Sequence, residues 1–229
     1  MADARAVATR AAEPMTRAIA GLAAAVTEAP WALSPDDRTR AHAAGLDDER
    51  VVHVVALASY FGHLNRVADA VGIELDYEVR LTPPHAEPAT PPYLRPARDA
   101  WPAIGASSAL SLAAIRPAAA ELLAAWRSHA LDRTTDALPP ARRAVIASAV
   151  AAALGDASIA PVAPGDALDA ALVALADEVT LAPWRLGAGT LAALRTAGLS
   201  DDAAVFDAVA TATACTTFSR LTVALAALG

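Results

Sequence analysis

The chain has 229 residues and a formal charge of −7, and every one of its basic side chains is arginine. That length suffices for one large or two small domains with a real core. The acidic balance argues against nucleic acid as a partner, because phosphate binding needs a basic face. Uncharged runs such as residues 144–155 are about a dozen residues, short of the roughly 20 that a membrane span requires, so no membrane partner is expected. A single cysteine, Cys215, excludes an internal disulfide and fits a reducing, cytoplasmic setting. No apolar run follows a basic patch at the N-terminus, so no secretory signal is expected.

Glycine and proline punctuate helical stretches, and no period-2 strand run stands out. The first predicted helix is "PMTRAIAGLAAAVTEAP" (14–30), with proline near its start and another past its end. "SPDDRTRAHAAG" (34–45) follows, with Ser34 as N-cap, Pro35 at the first helical position, acids in the first turn and Gly45 as stop. The helix over 47–72, "DDERVVHVVALASYFGHLNRVADAVG", closes at Gly72. Residues 80–102 are rich in proline and read as a linker without regular structure. Helices resume over 115–131, 138–155, 164–179 and 187–198, and a last long one covers 200–228. The fold class is therefore all-α.

The chain repeats itself. Residues 27–46 read "TEAPWALSPDDRTRAHAAGL", and residues 180–199 read "TLAPWRLGAGTLAALRTAGL". In both places an apolar helix leads to an APW turn, a short helix, an AGL stop and a long helix. With one extra residue after the second AGL, "HLNRVADAVG" falls on "TFSRLTVALA" and Arg66 on Arg220. Alanine-rich composition alone explains like helices but not a rare tryptophan kept in register. A repeated helical unit buries its apolar face against its copy, which predicts a pseudo-twofold bundle with Trp31 and Trp184 in equivalent places.

The stretch "AGLDDERVVHVVALASYFGHLNRVADAVGIELD" resembles the C-terminal helix pair of the alkylhydroperoxidase D-like, or carboxymuconolactone decarboxylase, superfamily, typically AGLSD…VAYFNFVNRVADALGVELD. "LPPARRAVIASAVAAALGDASIA" resembles that family's preceding helix, usually LPPRxRELVxLxVAxLNGCxYCxxxH. The resemblance implies duplicated units: a half-unit over 1–79 holding only the later helices, the linker over 80–102, and a more complete unit over 103–229. It also implies a homo-oligomer. Redox members of the family use a CxxC pair, an upstream glutamate and a following histidine, since the chemistry needs a low-pKa thiolate beside a proton relay. Here those positions hold Asp156, Ile159, Ala144 and Ala163. Dithiol chemistry by this chain is therefore not expected, unless a redox half lies upstream of Met1.

The remaining polar side chains on helices concentrate in the first unit. His53, Tyr60, His63 and Arg66 fall within one arc of about 140°, along the edge of an apolar stripe of Leu57, Phe61, Leu64 and Ala68. As a pocket wall they would supply a proton carrier in His63, a donor in Tyr60 and a carboxylate holder in Arg66, with His53 lining the substrate. Asn65 matches the family's NR dipeptide, and Asp156, in place of the first cysteine, could serve as a base if desolvated. The competing reading leaves this arc as a solvated edge and makes Arg66 and Arg220 an internal structural pair. His53 and His63 lack metal-ligand spacing, and no phosphate loop is present, so neither metal nor cofactor is implied. Three functions compete: cofactor-free proton transfer on a small carboxylate or lactone, a non-catalytic binding or assembly module, or a peroxidase-related antioxidant protein whose redox half is missing from this chain.

Overall fold

The computed structural model describes residues 13–73 and 110–229, which are all-α, with no strand among them. The proline-rich linker at 80–102 and residues 1–12 lie outside the described residues. In chain order the helices are α1 (Pro14–Glu28), α2 (Pro35–Ala43), α3 (Asp48–Val71), α4 (Leu112–Ile115), α5 (Pro117–Asp132), α6 (Pro140–Leu154), α7 (Ala167–Leu181), α8 (Ala188–Ala197) and α9 (Asp202–Leu228). No helix is long and apolar enough to cross a membrane, among the described residues.

Local chemistry sets the boundaries. Proline occupies the first turn of α1, α2, α5 and α6, where its missing N–H costs nothing. Ser34 and Asp37 form a reciprocal capping box on α2. Gly72 and Gly155 end α3 and α6 in the left-handed region, which a side chain would strain.

The same local conformations occur in both halves. Each APW sequence forms a 3₁₀ turn, Pro30–Ala32 and Pro183–Arg185, after an alanine at φ −152° or −151°. Each AGL stop places glycine at positive φ, at Gly45 and Gly198, and the next leucine N–H bonds back to Ala41 or Leu194, both at 3.0 Å. Asp47 caps α3 and Asp201 caps α9, each accepting from a backbone N–H three residues on. His42–Asp48 and Arg195–Asp202 bridge corresponding positions. The tryptophans share the turn but not the cover. Trp31 is buried in the main core cluster, whereas Trp184 is 53% exposed, and α3, which meets the second turn, ends at Val71.

The long helix α9 is the spine. It packs on α3, α6, α7 and the first APW turn and is buried nearly all round. Its earlier part joins one core cluster with Ile146, Leu172 and Leu194; its last turns join a second with Leu22, Val51 and Val55. The halves also grip each other reciprocally. Arg66 of α3 donates to the Val179 carbonyl at the end of α7 (3.1 Å), while Arg220 of α9 donates to Val26 and Thr27 carbonyls at the end of α1 (3.2 and 2.5 Å) and to Thr180 (3.0 Å). A cation at a helix C-terminus meets the negative end of the helix dipole and carbonyls with no partner in their own helix.

Candidate functional site

The buried face of α3 is not its apolar stripe. Val51, Val52, Val55, Ser59, Gly62, Arg66 and Ala70 face inward, whereas Leu57, Phe61 and Leu64 are exposed, Phe61 at 57%. Small residues at 59 and 62 let α9 come close, and Thr217 reaches the Ser59 carbonyl (3.3 Å). A Cβ at Gly62 would lie 2.9 Å from Arg66 Nη1, so the missing side chain makes room for the guanidinium.

This face decides where the residues singled out from the sequence stand. His53, Tyr60 and Asn65 are exposed. Arg66 is buried, its guanidinium engaged by the Val179 and Gly62 carbonyls (3.1 and 2.9 Å) and lowered to about 10 by burial. Its donors thus serve main-chain groups inside the bundle, the geometry of the internal structural pair. His63 is half-buried in the wall of a cavity of about 580 Å³ formed with α5, the α5–α6 connection and α9.

Trp126 of α5 organises the His63 side of that cavity. Its ring meets His63 edge-to-face at 4.9 Å, Phe218 at 4.9 Å and Tyr60 at 6.1 Å. Nδ1 of His63 is buried, so a ligand in the cavity would have to reach the ring at Nε2. Burial holds the His63 imidazole below its ordinary value; the nearby Arg66 charge adds to this and the Thr213 backbone opposes it. Burial thus favours the neutral form of the ring, the form that can accept a proton.

The opposite wall carries a network that the sequence reading missed. Arg143, fully buried, pairs with both carboxylate oxygens of Asp207 (3.1 and 2.5 Å) and donates to Thr211 Oγ1 (2.7 Å) and to the carbonyls of Ala130, Arg133 and Leu138. Arg133 closes on the same carboxylate, and Thr135 reaches it at 3.4 Å. A buried charge is costly unless it is paired or its hydrogen bonds are satisfied, and Arg143 has both. The signal was present: Arg143 opens the apolar run 144–155, and Asp207 is the one acid past the first turn of an alanine- and threonine-rich helix.

Asp156 does not join His63. It lines a second cavity of about 500 Å³ with Arg127, Ser128 and Asp132, and its Oδ1 accepts from the N–H and hydroxyl of Ser158 (3.0 and 2.6 Å). The Trp126–Phe218 ring pair stands between the two, Trp126 in the first wall and Phe218 in the second. Cys215 is buried in α9, and burial pushes its thiol up to about 12, the reverse of what a reactive thiolate needs. Among the described residues no group of three or more His, Cys, Asp or Glu side chains is placed to hold a metal ion. No protein-family model, curated protein or solved structure matches the chain.

Proposed function

We propose that the chain is a member of the alkylhydroperoxidase D-like superfamily without its dithiol, a cofactor-free protein that moves a proton on a small carboxylate or lactone held beside His63. One observation carries this reading: a half-buried histidine, held below its ordinary pKa by burial, stands in a cavity wall. Nε2 would take a proton from the carbon next to the ligand's carbonyl and return it to another carbon of the same molecule, so neither oxidant nor co-reactant is needed. Trp126 meets the ring edge-on, and burial, with the Arg66 charge adding to it, holds the imidazole below its ordinary value. The matching turns, stops and caps of the two halves, and the exchange of arginines between them, support a duplicated unit with a pseudo-twofold axis. A homo-oligomer in the cytoplasm belongs to the same proposal; it rests on the family resemblance and the single cysteine.

A panel of small carboxylic acids and lactones, screened by thermal shift against wild type and His63→Gln, tests the site. At least one compound should raise the melting temperature of the wild type and lose that effect in the variant; a panel that leaves the wild type unmoved would sink the reading. The second reading, a binding module without catalysis, is favoured by Asp156 lying in the other cavity, which leaves His63 without an acid partner among the described residues. Deuterium uptake into the bound compound in heavy water separates the two, since only a proton-transfer catalyst exchanges it.

A further inference from the structure

We infer that the cavity beside His63 selects an uncharged ligand, of the lactone or cyclic amide class, over the carboxylate of the same carbon skeleton. The inference rests on the reading that this cavity is the ligand site. Its wall carries three carboxylates, Asp136, Asp201 and Asp207, against two guanidiniums, Arg133 and Arg143. Both guanidiniums close on Asp207, and the donors of Arg143 are further taken up by three carbonyls and Thr211. Arg143 is fully buried and offers a ligand no free fork. Asp136 and Asp201 are exposed, and although Asp201 also caps α9, the wall as a whole holds one carboxylate more than it holds guanidiniums. An entering carboxylate thus meets like charge and finds no buried cation ready to receive it. Trp126, Phe206 and a row of alanines form most of the remaining wall, which suits the apolar ring of a neutral heterocycle. His63 contributes an acceptor nitrogen rather than a positive charge.

The test uses a matched pair on the intact protein: γ-valerolactone and its ring-opened form, 4-hydroxyvalerate, at neutral pH. Binding is read from the imidazole Cε1–H resonance of His63, assigned by its loss in His63→Gln. The lactone should shift that resonance saturably, and the carboxylate should bind about tenfold more weakly at low salt, with the gap narrowing as salt rises. Asp136→Asn, at an exposed position outside the buried network, should strengthen carboxylate binding severalfold and leave the lactone unchanged. A carboxylate that binds as tightly as the lactone, or an Asp136→Asn variant that treats the pair as before, overturns the inference while leaving the site in place. Failure of both compounds to move the resonance in folded protein overturns the inference and the site reading together.

Discussion

Removing the Asp207 carboxylate should be among the most damaging single changes the bundle can suffer. In Asp207→Ala, Arg143 stays fully buried but loses two hydrogen bonds and its counter-charge. Breaking a buried pair from one side costs about 3–5 kcal/mol, because the other charge is left without compensation. Arg143 keeps three carbonyls and Thr211, which solvate the cation in part, and Arg133 can turn to water. The lower end of the range therefore applies, about 3 kcal/mol. For a chain of this size, roughly 2–4 °C per kcal/mol converts that to a fall in melting temperature of about 6–12 °C. Calorimetry paired with urea unfolding measures it. Asp207→Asn, which keeps the shape and one acceptor, should fall between the alanine variant and wild type. A double variant, Arg143→Met with Asp207→Leu, should recover much of the loss, since no charge then remains buried. A loss below about 1 kcal/mol in Asp207→Ala, the range of ordinary surface changes, would refute the pairing.

Three further outcomes are expected. Since burial lowers the folded-state pKa of His63, the unfolded chain binds its proton more readily, so stability should fall as pH drops below the ordinary 6.5. His63→Gln should lose that component of the pH dependence and no other, as urea midpoints across the range would show. Cys215 should stay unreactive towards a thiol reagent at mildly alkaline pH in the native protein and react fully once denatured; rapid native labelling would contradict its burial and raised pKa. Gly62→Ala, which in an open helix gains about 1 kcal/mol, should destabilise here because the new methyl meets Arg66 Nη1. In an Arg66→Met background the same change should turn neutral or stabilising, so a double-mutant cycle on thermal unfolding reads the coupling.

Much of the fold was legible because proline, glycine and capping acids mark helix ends locally. The expected helix at 47–72 is found as Asp48–Val71, and the one at 200–228 as Asp202–Leu228. The four-residue helix Leu112–Ile115 escaped notice, being too short to show a period. Which face of a helix is buried was less legible. In α3 the row of Leu57, Phe61 and Leu64 reads as core by hydropathy, yet the face that packs holds Ser59, Gly62 and Arg66, suited to close approach and to a carbonyl 113 residues away. The site was legible only through His63. Asp207 and Arg143 stand 64 residues apart and no local pattern links them, and Trp126, which organises the His63 side, reads in sequence as one more aromatic on an alanine-rich helix.

The exchange of arginines between the halves bears on where this chain could be divided. Each half holds the donor that closes off the other's helix end, so a gene fragment encoding one half alone would leave a helix terminus and a long helix face open to water. The halves should then behave as complementary fragments: produced apart they should remain largely unfolded, and mixed they should assemble. Unfolding of the intact chain should then be a single transition, with any ligand gripped by one half strengthening both.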